Sequence, residues 1–135
     1  MDFNTIIKNK IGEFLNTLGF SIIEDSKNSV SFKSEKITIR FSYYTYGYEY
    51  YYFIKLNNEE IDYENFIVEG YLQIDEELLL SNISQETKIE NWLDRTMNYF
   101  RKFQSTLLKG DKDFYVGLNQ YFEKITEIYN KKISE

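Results

Sequence analysis

No histidine, cysteine or proline occurs in the 135 residues. Without histidine and cysteine there can be no zinc site built on those ligands, no cysteine nucleophile, no Ser-His-Asp triad and no disulfide scaffold. An enzyme on this chain would have to work with carboxylates, lysine, tyrosine, serine or threonine. Paired carboxylates are plentiful, Asp62 with Glu64 and Glu86 with Glu90 among them. Glycosidase chemistry needs two at a set separation across a cleft, which spacing along a chain does not supply. The six glycines stand apart from one another, so no phosphate-cradling loop is present. Asp75-Glu76-Glu77 lacks the Asp-x-Asp-x-Asp-Gly pattern of a calcium loop. No catalytic residue, cofactor or metal site is expected. Long apolar runs are missing too: none approaches the roughly 18 residues of a membrane span. The start, MDFNTIIKNKIGEF, has no basic stretch followed by an apolar core, so it does not read as a secretory signal. A cytoplasmic protein without membrane contact is expected.

What is present suits one α+β domain over residues 1–135. The chain is 42% hydrophobic and 19% aromatic, enough for a core. Ile, Asn, Lys, Tyr and Phe are abundant while Arg is scarce, as AT-rich codons favour, which points to a low-GC bacterial or phage genome. Ile7, Ile11, Phe14, Leu15 and Leu18 form one apolar stripe of a first helix, capped by Asp2 or Asn4 and closed by Gly19. Four short strands should follow as an antiparallel meander: Phe20–Glu24, a run around Val30 and Phe32, a run through Ile37, Ile39 and Phe41, and the tyrosine-rich run to Leu56. Tyr48, Tyr50, Tyr52, Ile54 and Leu56 share the core-facing parity. The stretch 59–74 fits neither period; a packed loop with a fifth strand near Phe66–Glu69 or Tyr71–Ile74 is expected. Asp75 should cap a short helix through Leu80. Ser84 should cap a long helix carrying Ile89, Trp92, Leu93, Thr96, Phe100, Phe103 and Leu107, stopped by Gly110. A last helix, capped by Asp111 or Asp113, turns Phe114, Leu118, Tyr121, Phe122, Ile125 and Tyr129 inward. The two to three C-terminal helices pack on one sheet face.

Charge is spread unevenly. Residues 1–58 carry a balance of +1, residues 59–94 one of −10 and residues 95–135 one of +3. Glu59, Glu60 and Asp62 open the acidic segment, and Glu86, Glu90 and Asp94 lie at i, i+4 and i+8 on the long helix. Such a run is either a solvated face or a surface for a basic protein partner, which it would steer electrostatically. Direct nucleic-acid binding is not expected, because phosphates need a basic stripe and the basic residues are scattered.

The second signal is FSYYTYGYEYYYF at residues 41–53, which holds 7 of the 13 tyrosines. Strand parity places aromatics on both sheet faces. Tyr44, Tyr51 and Phe53 point away from the core, beside Arg40 and Ser42. They are either covered by helices or free for recognition, where tyrosine combines large area with few rotamers.

The first half resembles the small immunity-type proteins encoded beside polymorphic bacterial toxins. The likeness is one of pattern over residues 7–56. It rests on a first helix ending Leu18-Gly19-Phe20, then Val30-Ser31-Phe32-Lys33-Ser34, then Ile37-Thr38-Ile39-Arg40-Phe41 and an aromatic strand, followed by a helix bearing Trp92. The resemblance implies a protein without catalytic residues that binds a toxin and blocks it. The leading expectation is a non-enzymatic protein-binding module, with Tyr44, Tyr51 and Phe53 as anchors and Glu59, Glu60, Asp62, Glu86, Glu90 and Asp94 as the charge complement. The alternatives are a small-ligand or carbohydrate-binding domain using the tyrosine strand, and a homo-oligomer, such as a homodimer, that buries its aromatic face.

Overall fold

Asp2 accepts a hydrogen bond from the Thr5 backbone N–H at 3.2 Å and starts the first helix. A computed structural model describes residues 1–75 and 82–134. Helix α1 (Phe3–Ile7), a π-helical turn (Lys8–Gly12) and α2 (Glu13–Thr17) run on as one N-terminal helix. Its buried residues Phe3, Ile7, Ile11 and Leu15 are four apart. In an α-helix a four-residue step overshoots a full turn by about 40°. The wider π turn in the middle takes up that drift and keeps Ile7, Ile11 and Leu15 over the same sheet face.

The sheet has five antiparallel strands in sequence order: β1 (Ser21–Ser26), β2 (Ser29–Lys33), β3 (Ile37–Tyr44), β4 (Glu49–Leu56) and β5 (Tyr63–Glu64). The expected meander of four is thus extended by one short strand. Neither proposed location for a fifth strand holds, because residues Asn65–Leu72 form helix α3. Ile37, Ile39 and Phe41 of β3 and Tyr52 and Ile54 of β4 are fully buried on one face. Register pairs Ile39 with Ile54 and Phe41 with Tyr52. Tyr50 and Leu56 are half-buried on the same parity. Tyr48, expected to face the core, is instead 68% exposed with φ +54°. It belongs to the β3–β4 turn, where the left-handed backbone breaks strand parity.

Helix α4 (Gln85–Lys102) starts at Ser84, whose hydroxyl accepts from the Thr87 N–H at 3.1 Å. Its Ile89, Trp92, Leu93, Thr96 and Phe100 are buried as expected. The helix ends at Lys102, short of Gly110, and a run of turns carries buried Leu107 and Leu108 to α5 (Lys112–Ser134). The Phe114 N–H bonds Asp111 Oδ2 at 3.0 Å, so Asp111 is the cap. Leu118 of α5 is buried and Phe114, Tyr121, Phe122 and Ile125 are half-buried, but Tyr129 is 63% exposed rather than inward. The helix expected from the Asp75 cap through Leu80 lies within residues 76–81, outside those described. No described helix is long and apolar enough to cross a membrane.

Helix α3 is placed by long-range contacts. Asn65 Oδ1 accepts from the Tyr52 N–H at 3.1 Å, and Asn65 Nδ2 donates to Glu69 at 3.0 Å. Glu69 in turn pairs with Arg95 of α4. Against α5, α3 packs through two reciprocal notches. The Tyr121 hydroxyl occupies the space a side chain at Gly70 would need, and the Tyr71 hydroxyl does the same at Gly117. Gly117 looks like a defect in the α5 sequence; the fold uses it as a seat for Tyr71. Alanine at 117 gains about 1 kcal/mol of helix propensity, but overpacking costs about 1–3 kcal/mol. We expect Gly117→Ala to lower the urea midpoint, and Tyr71→Phe added to it to restore most of the loss. A single variant as stable as the parent would mean that Tyr71 swings aside at no cost.

Candidate functional site

The second sheet face is built by the opposite strand parity. It carries Ser29, Ser31 and Lys33 of β2, Thr38, Arg40, Ser42 and Tyr44 of β3, Tyr51, Phe53 and Lys55 of β4, and Glu64 of β5. These side chains remain half-buried or exposed, small Ser31 excepted, whereas those of the first face are buried apart from half-buried Tyr43, Tyr50 and Leu56. The helices therefore cover one face and leave the other open.

Register assembles a row across that open face. Ser31 pairs with Arg40, Arg40 with Phe53 and Phe53 with Glu64. The Arg40 guanidinium sits 4.8 Å from the centre of the Phe53 ring, a cation–π contact. Tyr51 and Phe53, two residues apart on β4, meet nearly at right angles with centres 5.3 Å apart. At the turn end Tyr44 and Tyr46 approach to 5.7 Å and are 50% and 88% exposed. At the β5 end, burial and then the Glu49 charge raise the Glu64 carboxyl above the ordinary glutamate range. The result is a sheet surface bearing three aromatic rings and one guanidinium, with Tyr46 beside it in the turn and the Glu49 and Glu64 carboxyls on the same face.

Tyr44, Tyr51 and Phe53 are thus together on the face that sequence parity gave them. Arg40 and Tyr46 join them. Arg40 was legible as a neighbour by parity, while Tyr46 sits in a turn, where parity has no reach. The acidic residues are elsewhere. Glu59, Glu60 and Asp62 are exposed in the loop between β4 and β5. Glu86 and Glu90 line a small cleft with Asp2, Asn9 and Lys10 at the N-terminal helix, and Asp94 pairs with Lys10 at 3.2 Å. That stripe lies in the helical layer, on the far side of the sheet from Tyr51 and Phe53. The nine residues expected to meet a partner thus fall into three places. Their separation follows from packing, since α4 buries Trp92 and Leu93 against the covered face and turns its acidic side towards the first helix.

No group of three or more carboxylates among the described residues is placed to hold a metal ion. No protein-family model, curated protein or solved structure matches the chain.

Proposed function

We propose that the chain is a non-enzymatic protein-binding module whose docking surface is the open sheet face around Tyr44, Tyr51 and Phe53, completed by Arg40 and Tyr46. The observation that carries this reading is the ring cluster with its guanidinium on an uncovered, strand-supported surface. Tyrosine, phenylalanine and arginine are the residue types enriched in interface cores, and rings held by a sheet lose little entropy on binding. The immunity-type resemblance makes a toxin met in the cytoplasm the partner class to test first. The acidic loop and the α4 stripe then act at a distance, speeding encounter with a basic protein without lying under it.

The test is affinity capture from lysate of the source organism, with two variants run beside the parent. Tyr51→Ser/Phe53→Ser should lose the retained partner, with affinity at least about 100-fold weaker if both rings are hot spots. Glu86→Lys/Glu90→Lys/Asp94→Lys should retain it, with slower association and a weaker dependence on salt. Equal capture by the sheet-face variant would overturn the reading. Loss on the α4 variant alone would move the interface to the helical layer.

A further inference from the structure

A groove of about 910 Å³ runs beside the first half of α5, away from the open sheet face. It is of the size that takes a small ligand or a short chain segment. Its charges are sorted along its length. Lys36 and Lys112 mark one end, where the Lys36 stem lies against Gly110 just before α5. Glu123 marks the other, and it and Glu59 both raise the Tyr63 hydroxyl, though less than burial does. Glu35 beside Lys36 leaves the lysine end one charge positive. Lys112 and Glu123 are separated by about 16 Å along the helix at 1.5 Å per residue.

The wall near the acidic end is held in place. The Tyr63 hydroxyl donates to Asn119 Oδ1 at 3.0 Å, and Asn119 Nδ2 donates to Glu123 Oε1 at 3.1 Å. Each amide nitrogen carries two protons, so Asn119 keeps one for a ligand. Asn58 and Gln120 add further amides, and Ile61 and Val116 add aliphatic surface that is 38% and 49% exposed. The Tyr63 and Tyr115 rings are buried to 6% and 3% exposure, so they offer no open ring face on which a sugar or base could stack. Side-chain amides that pair with backbone N–H and C=O groups, small apolar spots between them and opposite charges at the ends together match an extended polypeptide.

We propose that this groove binds an extended peptide segment of about five residues, at about 3.3 Å each, that is anionic at the end meeting Lys36 and Lys112 and cationic at the end meeting Glu123. It shares no residue with the open sheet face and stands apart from the reading of that face.

The test titrates the 15N-labelled chain with four pools of acetylated, amidated pentapeptides, Lys-X3-Glu, Glu-X3-Lys, Lys-X3-Lys and Glu-X3-Glu, with X drawn from Ala, Ser, Val and Leu. At least one of the mixed-charge pools should shift the side-chain amide signals of Asn58, Asn119 and Gln120. Both like-charged pools should bind at least tenfold more weakly. Lys112→Glu, an exposed position, should abolish the response with the rest of the spectrum intact. Tyr51→Ser/Phe53→Ser should bind the pools like the parent, so the groove and the sheet face fail separately. Equal response to all pools, a response unchanged by Lys112→Glu, or none at millimolar peptide would overturn the proposal.

Discussion

Trp92→Ala is expected to cost about 3–5 kcal/mol, the range for truncating a buried large aromatic. That is a large part of the about 5–15 kcal/mol by which a domain is stable. Trp92 is the sole tryptophan and is 2% exposed. Its ring contacts Phe41 of β3 at 6.1 Å between centres, and Tyr50 and Tyr52 of β4 at 4.9 and 6.4 Å. It therefore joins α4 to the two central strands, and no neighbour is placed to fill its volume, because Tyr52 is already packed against both Phe41 and Phe100. Urea unfolding followed by far-ultraviolet circular dichroism should show the lower midpoint, since tryptophan fluorescence is lost with the residue. Trp92→Phe keeps most of the ring contacts and should cost clearly less. A loss under about 1 kcal/mol for the alanine variant would mean that α4 is not held to the sheet through this side chain.

The same loss would reach the open face. Tyr51 and Phe53 alternate along β4 with Tyr50 and Tyr52, which lie against Trp92. The covered face thus fixes the pleat that presents the rings on the other. A sheet-face variant reads on binding only if its circular dichroism matches the parent's.

Local periodicity made much of this legible. The 3.6-residue stripe of α4, its Ser84 cap, the strand alternation and the outward parity of Tyr44, Tyr51 and Phe53 all follow from spacings of a few residues. What was not legible depends on partners far away in the chain. Residues 59–74 show no period because α3 is only eight residues long, exposes Phe66 and buries Ile67 and Val68. Its position is set by Asn65 on β4, Glu69 on Arg95 and the Gly70–Tyr121 notch. The acidic stripe at 86, 90 and 94 was correctly placed on one helix side. Which way that side points was decided by the burial of Trp92 and Leu93 against the sheet, which brings Asp94 to Lys10, 84 residues before it. Tyr48 failed for a local reason: alternation gives no sign that the residue after Gly47 takes a left-handed turn. The groove beside α5 draws on the β2–β3 turn, the β4–β5 loop and a helix 50 residues later, so no window of sequence contains it.

Stability should collapse in alkali. Burial is the first cause that raises the hydroxyls of Tyr52, Tyr99 and Tyr115 above the ordinary tyrosine value. Tyr52 and Tyr99 share a buried hydrogen bond of 2.7 Å, and Tyr115 donates to the Leu107 carbonyl at 2.7 Å. In the unfolded chain these groups ionise near about pH 10. Above that pH the unfolded state gives up protons that the folded state retains, so stability is present in full below it and falls as pH rises. Each group costs about 1.4 kcal/mol per pH unit once its unfolded form is ionised, so three together remove about 4 kcal/mol by pH 11. The urea midpoint should be level from pH 7 to 9 and drop steeply above 10. Tyr115→Phe should reduce that slope by about a third, whatever it does to the midpoint at pH 7. Ultraviolet titration supplies the second readout: the phenolate absorbance of these three rings should appear only with unfolding. A midpoint level to pH 11, or complete phenolate formation in a chain whose circular dichroism is still native, would show that water reaches these hydroxyls.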